Sequence, residues 1–473
     1  MADHTQPGAS RFQGLDSIGS MVMTDCKDTV AAIATPPGRG GIGVIRITGP
    51  RTREIARAIT GMDLTPRYAH LCHFLTADRQ TIDQGITIFF KGPASYTGED
   101  VLELHGHGGR VVLEMILQRL IELGARHARP GEFTERAFLN GKLDLLQAEA
   151  VADLIDSLST QAARGAIRSL QGGFSGQIRA VYDSVTDICI QVECALDFPD
   201  EEIDLLAISV IRSLLQSCID AVNSMLLKSA QGLRLREGAY LVIAGKPNVG
   251  KSSLLNQLTN RESAIVSETS GTTRDVITEY ILIKGVPVIL ADTAGLRETG
   301  GFLEQEGVRR ARAEIAKADI VLLVAEAVDS IEEAEQEIKS QLAAGTTLII
   351  IRNKIDLVGI QPHVRTGSMN CTEIFLSAKT GAGLENLLQI MSDQLLGNGT
   401  AEDIILARDR HIDALYRART CLENGLKHLM DKGNTEVLAE EVRRAQKTLA
   451  EITGATTTEE LLGEIFSRFC IGK

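Results

Sequence analysis

With 473 residues, 44% hydrophobic and 23% charged, the chain is long enough for about three domains that each bury a core. A net charge of −13 excludes a protein whose whole surface grips nucleic acid, because phosphate binding needs clustered Lys and Arg. No apolar run approaches the ~18 residues of a membrane span, and the eight cysteines show no CxxC pair or metal-ligand spacing, so a cytosolic chain with reduced thiols is expected.

Residues 1–27 are polar and lack a contiguous apolar stretch, which predicts a disordered N-terminal extension and not a signal peptide. From 28 to 142, β-like runs such as Ile42 to Ile47, Gly85 to Phe90 and Val101 to His105 accompany a helix-like Arg110 to Leu123, predicting an α+β domain. The GRGG at Gly38 and GHGG at Gly106 match the GxxG loop of an RNA-binding KH fold only as four-residue patterns, since neither lies between evident helices in a basic setting. Helical spacing of apolar residues takes over from 143 to 236, as in Leu145, Ala148, Val151, Ala152 and Ile155. Inside it, DFPDEEID at 197–204 predicts an acidic helix-breaking loop.

Between 237 and 397 five short boxes follow in register: GKPNVGKS, GTTRD, DTAG, NKID and SAK. The first starts at Gly245, after the apolar Tyr240 to Ala244 and before the helix-like Ser252 to Leu258, so a strand, a glycine loop and a helix N-terminus are expected. Glycine at 245 and 250 lets the backbone N–H groups of Asn248, Val249 and their neighbours curl around a β-phosphate. Lys251 reaches β and γ oxygens, Ser252 can ligate Mg²⁺, and Ser253 continues the turn. Ser267, Glu268, Thr269, Ser270, Gly271, Thr272 and Thr273 belong to an aperiodic polar stretch that reads as a loop, with Thr273 as the second Mg²⁺ ligand. Asp292, Thr293, Ala294 and Gly295 end the apolar strand Val286 to Ala291, where a carboxylate can meet the metal through water and the Gly295 N–H can sense the γ-phosphate.

Asn353, Lys354, Ile355 and Asp356 follow the apolar strand Thr347 to Ile351, and Ser377, Ala378 and Lys379 follow the next one as a base-edge loop. The Asp356 carboxylate can accept guanine N1–H and N2–H₂, which adenine lacks, and two such bonds at roughly 1.5 to 3 kcal/mol each select GTP over ATP. Leu296, directly after DTAG, cannot orient an attacking water. Arg297, Glu298, Glu304 and Glu306 are the nearby polar candidates for that task.

From 398 to 473 the helical pattern returns, and because both helical stretches stop where the boxed segment begins or ends, the simplest architecture is one helical domain with an α/β domain inserted. Arg408, Arg410, His411, Arg417 and Arg419 form one basic cluster and Arg443, Arg444 and Lys447 another, either a local nucleic-acid patch or ordinary solvated helix faces. Cys470, three residues from the last, is either an exposed reactive thiol or a buried inert one.

The segments ATPPGRGGIGVIRITG, SYTGEDVLELHGHGG, RPGEFTERAFLNGKLDLLQAEAVADLI, DFPDEEID, the boxes with DTAGLR, and the terminal FCIGK resemble the TrmE-type tRNA modification GTPases over about Asp28 to Lys473. The resemblance implies a multidomain α/β and α fold: an N-terminal α+β tetrahydrofolate-binding and dimerisation domain at 28–142, a helical domain at 143–236 and 398–473 with a CIGK tail, and an inserted P-loop GTPase domain, Ras-like α/β, at 237–397. It further implies a K⁺-activated GTPase, with K⁺ ligands at Asn248, Ser267, Thr269 and Thr272, a water-orienting Glu304, and Arg297 and Cys470 as further reactive positions. Arg46, Glu103, Lys142 and Lys473 match folate-contacting positions for 5-formyl- or methylene-tetrahydrofolate.

The same resemblance implies a homodimer that joins a flavoprotein partner, MnmG (GidA), in a heterotetramer. Together they install an aminomethyl or carboxymethylaminomethyl group at C5 of the tRNA wobble uridine, and FAD sits only on the partner. A GTP-dependent ribosome or RNA assembly factor acting as a binding switch is the alternative, and it would need an RNA-binding domain that the sequence does not display.

Overall fold

The computed structural model describes residues 28–197, 205–261, 278–291, 312–343, 345–367, 371–396, 405–430 and 435–472, which cluster into two compact units. The first combines the N-terminal residues through Leu143 with those from Glu459 onward. The second runs from Asp144 to Thr458.

In the first unit, β1 (Val30–Ile33), β2 (Gly40–Thr48), β3 (Ala69–Leu75), β4 (Thr81–Phe90), β5 (Val101–Gly108) and β6 (Arg126–His127) form a sheet in the order β3-β4-β5-β2-β1-β6. Its pairs are antiparallel except β1 with β6. Period-two alternation sorts the faces: Ile45, Ile47, Leu102 and Leu104 are buried with Ile55, Ile59, Ile116 and Leu120 of the helices Thr52–Thr60 and Arg110–Glu122. Arg46 and Glu103, directly opposite in the β2/β5 register, point the other way.

The sequence assigns residues 398–473 to the helical domain, and the resemblance brings their tail to the N-terminal domain. Residues from Glu459 on cluster with the N-terminal unit, because the helix Glu459–Ser467 and the turn after it supply Phe466 and Phe469, packed on each other and, through Phe466, on Phe138. Gly131, at φ 69, allows the approach: a Cβ there would lie 2.5 Å from the Phe466 carbonyl oxygen.

A charged cluster stitches this unit together. Arg136 is 1% exposed and bonds Asp28 Oδ1 at 2.8 Å, Glu99 Oε2 at 3.1 Å and Glu132 Oε1 at 2.9 Å. Burial alone would raise the Glu132 carboxyl, but hydrogen bonds from Arg126, the Arg129 N–H and Arg136 overrule it and hold it at about 2. A depressed carboxyl stabilises the fold above its unfolded value of 4.5 and loses that contribution as pH falls towards about 2. Glu132→Gln should therefore cost a few kcal/mol at neutral pH and flatten the acid limb of a urea-unfolding series, roughly 3 kcal/mol being at stake by linkage.

In the second unit the helices Leu145–Ile155, Gly173–Asp197, Leu205–Glu237, Asp409–Met430 and Thr435–Thr453 bury a common core that includes Leu146, Val185, Leu215, Val222, Leu422 and Leu449. The strands of its sheet are β7 (Ala239–Ala244), β8 (Thr278–Ile283), β9 (Val286–Ala291), β10 (Ile320–Glu326), β11 (Thr347–Asn353), β12 (His363–Thr366) and β13 (Thr372–Phe375). Those in the middle, such as β7 and β10, are apolar runs, as expected of strands covered on both faces, whereas the edge strand β12 is exposed throughout. Their order is β12-β13-β11-β10-β7-β9-β8, parallel except for the two antiparallel edge strands β8 and β12. After β7 the chain goes first to one side, to β8 and β9, and then to the other, to β10, so the crevice at the carboxyl end of β7 is a topological switch point.

Candidate functional site

The carboxyl ends of β7, β11 and β13 bring three of the five boxes to one edge of the sheet. β7 delivers Gly245 at φ 142 and Gly250 at φ 100, and only glycine suits either place. A Cβ on Gly245 would sit 2.2 Å from the Val324 carbonyl oxygen, and one on Gly250 would sit 2.2 Å from Asn353 Nδ2. Asn248 also has positive φ, at 64, and is exposed beside the buried Val249. The helix Lys251–Arg261 starts at this loop, so its first N–H groups, which have no intrahelical acceptor, face the crevice with Ser252 and Ser253 exposed in the first turn. Lys251 Nζ donates to the Gly245 and Lys246 carbonyls at 3.1 and 2.8 Å, which arches the ammonium back over the loop.

Asn353 is 2% exposed and joins the boxes to one another. Its Nδ2 donates to the Val249 carbonyl and its Oδ1 accepts from the Ala378 N–H, both at 2.8 Å. The sequence groups Asn353 with the base-reading residues; in the structure its amide holds the phosphate loop against the SAK loop, so it positions the site. Asp356 is held differently, with Oδ1 accepting from Ser377 Oγ at 2.5 Å. Ile355 is buried beneath it, Lys379 is exposed, and Lys354, at φ 64, pairs its Nζ with Glu326 Oε1. Glu326 is absent from the sequence-derived set, although an acid closing an apolar strand on this edge is a readable signal.

Ser267, Glu268, Thr269, Ser270, Gly271, Thr272, Thr273, Asp292, Thr293, Ala294, Gly295, Arg297, Glu304 and Lys473 lie outside the described residues. β9 ends at Ala291 and runs parallel to β7, so the chain leaves it at the same edge of the sheet. Among the described residues no group of three His, Cys, Asp or Glu could hold a metal ion, and no helix is long and apolar enough to cross a membrane.

In the first unit Arg46 and Glu103 form an ion pair at 2.8 Å, each less than one-fifth exposed. Arg46 also lies over the Tyr96 ring at 5.5 Å, and His105 Nε2 stands 3.3 Å from the second Glu103 oxygen. Lys142 Nζ donates to the Pro93 carbonyl, so it meets the same 93–96 loop at its other end. Cys470 is exposed, and its carbonyl accepts from the Gly131 N–H at 3.4 Å.

Within the basic cluster at 408–419, Arg408, Arg410 and His411 are turned inward, whereas Arg417 is exposed. Arg410 and His411 bond the buried Glu149, Arg408 bonds Asp153, Arg417 bonds Asp413 and Glu451, and Arg419 pairs with Glu423. Arg443 and Arg444 are paired with Glu193 and Glu441. Arg408, Arg410, Arg417 and Arg443 tie separate elements together, while Arg419 and Arg444 pair within their own helices, so each of these cations is matched by a carboxylate in place.

The sequence matches two family models, one described as the MnmE helical domain over residues 145–470 and one as the N-terminus of the GTP-binding protein TrmE over residues 29–142. It is 50% identical over 451 residues to the tRNA modification GTPase MnmE of Chromohalobacter salexigens, covering 94% of this chain and 98% of the relative. It is 48% identical over 446 residues to that of Hydrogenovibrio crunogenus, covering 94% and 99%. Among solved structures it is similar to the G domain of the T. maritima FeoB iron transporter, at 26% identity and a TM-score of 0.25, covering 33% of this chain and 98% of that one. With relatives about half identical over nearly their whole length and both family models matched, the chain belongs to the MnmE family of tRNA modification GTPases.

Proposed function

We propose that the chain hydrolyses GTP in a K⁺-activated reaction that serves modification of the tRNA wobble uridine at C5. The observation that carries the nucleotide part is the meeting of the phosphate loop, Asp356 and the SAK loop at one sheet edge, locked by Asn353. Guanine is read by Asp356, its carboxylate fixed by Ser377, while Lys251 and the loop N–H groups hold phosphate oxygens. Exposed side-chain oxygens on Asn248 and Ser252 flank Gly250 and suit hard cations. Ser252, with Thr273, would hold Mg²⁺, and Asn248, with Ser267, Thr269 and Thr272, would hold K⁺. Such cations supply positive charge where the γ-phosphoryl group builds up negative charge. Glu304 would orient the attacking water, Arg297 would assist, and the G domains would pair in a homodimer.

The N-terminal unit takes a tetrahydrofolate derivative as the one-carbon source, with Arg46, Glu103, Lys142 and Lys473 toward it. Support comes from the largely buried Arg46–Glu103 pair beside Tyr96, which sets a guanidinium and a carboxylate together on the sheet face away from the core. Cys470 and the tail reach the same unit. Redox chemistry belongs to the flavoprotein partner MnmG, which carries FAD.

The test is GTP turnover at equal ionic strength in KCl and NaCl. A rise of at least about tenfold in K⁺ is expected if the cation takes the place of an arginine finger, whose removal costs far more than that. Equal rates in the two salts would remove Asn248 from the role given to it.

A further inference from the structure

The two strands that separate the second and third boxes are covalently tied to both. Only Val276 and Ile277 lie between Asp275 of GTTRD and the start of β8 at Thr278, and Ala291, the last residue of β9, is bonded to Asp292 of DTAG. The hairpin of β8 and β9 has its tip at Lys284 and Gly285, both with positive φ, at 48 and 87. The two strands are hydrogen-bonded in register from Thr278 with Ala291 to Ile283 with Val286, so a displacement of the hairpin along its axis carries the tip with it.

The tip does not end in solvent: Lys284 Nζ donates to Gln389 Oε1 at 2.6 Å and pairs with Glu385 at 2.9 Å, so one side of it rests on the helix Leu384–Leu396. Gln161, in the first turn of the helix Thr160–Leu170, donates from Nε2 to the Lys284 carbonyl at 3.4 Å, and its side chain covers Gly285, where a Cβ would come within 3.2 Å of it. That first turn is itself fixed, with Ser159 Oγ accepting from the Ala162 N–H at 3.1 Å. Gln161 Oε1 is buried with no hydrogen-bond partner, so the amide is satisfied on one side only and has a second hydrogen bond to gain in another tip position.

The chain crossings beside it are anchored. Arg236, in the last turn of the helix that feeds β7, and Arg408, which follows the sheet, donate to the same oxygen, Asp153 Oδ1, each at 2.9 Å. Between these anchors and Ala162 lies a cavity of about 110 Å³. The void borders Ala162, the residue after Gln161, and leaves the start of this helix room to shift without breaking the core.

We propose that the β8–β9 hairpin is a lever that reports the nucleotide state to the helix Thr160–Leu170, with Gln161 as the residue that receives it. The proposal rests on the GTP reading above and adds a route by which the helical core learns what the site holds.

Hydrogen exchange of the full chain, compared with GDP and with a non-hydrolysable GTP analogue, tests it. In the wild type the amides of residues 160–170 should differ in protection between the two states by at least about fivefold, the lower end of ordinary coupling between sites. Gln161→Ala should bind both nucleotides within about twofold of wild type and keep the hairpin's own response, yet lose the response of that helix. Should Gln161→Ala lower the melting temperature, Gln161→Met, which keeps the length and loses the donor, repeats the measurement. A helix that ignores the nucleotide while the hairpin responds, or a full helix response in both variants, overturns the lever. Failure to bind guanine nucleotide, read separately by fluorescence titration, would remove the functional reading and the lever with it.

Discussion

Asp356→Asn is expected to weaken GTP binding by at least about a hundredfold and to create affinity for xanthosine triphosphate, both read by nucleotide titration. The carboxylate presents two acceptors to guanine N1–H and N2–H₂. An asparagine replaces one of them with an NH₂ donor that meets the guanine amino group donor to donor, whereas xanthine offers a carbonyl there. Ser377 Oγ donates to Asp356 Oδ1 and can donate to an amide oxygen as well, so the side chain is held in place in the variant. Retained GTP affinity would mean that the base is read elsewhere. Because Asn353 binds Val249 and Ala378, its loss would blur all three loops, which makes Asp356 the cleaner probe of base recognition.

The largest stability effect is expected at Glu149. This carboxylate is 1% exposed and accepts from Arg410 Nε and Nη2 at 2.8 and 2.7 Å and from His411 Nε2 at 2.8 Å. Removing one member of a buried, hydrogen-bonded charge set leaves the others uncompensated, so Glu149→Ala should cost about 3 to 5 kcal/mol in urea unfolding. Combining it with Arg410→Met should cost less than the sum of the two single changes, because the orphaned cation goes as well.

The acid response has a defined sign. His411 Nδ1 accepts the Arg408 N–H at 3.0 Å, so the ring is the neutral tautomer that donates from Nε2 to Glu149. Burial lowers the imidazole below its ordinary 6.5, and Arg410 and Arg408 add to this against the pull of Glu149. The unfolded chain thus takes up a proton below about pH 6.5 that the folded one refuses, and stability falls from there downward. For Glu149, burial pushes the carboxyl up, but His411 and Arg410 hold it well below its ordinary 4.5, so a further loss begins below that value.

Much of the nucleotide-binding sheet was legible because its chemistry is local. β11 carries the apolar run Leu348 to Ile351 two residues before Asn353, and β7 ends at Ala244 directly before Gly245, so strand, turn and box are neighbours in sequence. The basic cluster was not legible in the same way. Arg410 and Glu149 are 261 residues apart, and nothing periodic links them. The one local hint is a carboxylate set among Leu145, Leu146, Ala148 and Ala150, where a solvated acid does not belong. The direction of Phe466 and Phe469 towards the N-terminal domain came only from the resemblance, since an amphipathic helix shows that it has an apolar face without showing which surface covers it. The amide of Asn353 illustrates a third limit: its residue type fits base contact and loop stapling alike, and only the distances to Val249 and Ala378 decide between them.

The seating of Phe466 and Phe469 beside Phe138 and Gly131 bears on how the polypeptide matures on the ribosome. Its sheet leaves the exit tunnel well before the aromatic cover for the helix that carries Phe138, and that cover is translated only after the whole of Asp144 to Thr458. At ordinary elongation rates of about 5–20 residues per second, the uncovered surface waits tens of seconds for its lid, a window in which chaperones or a second nascent chain can reach it.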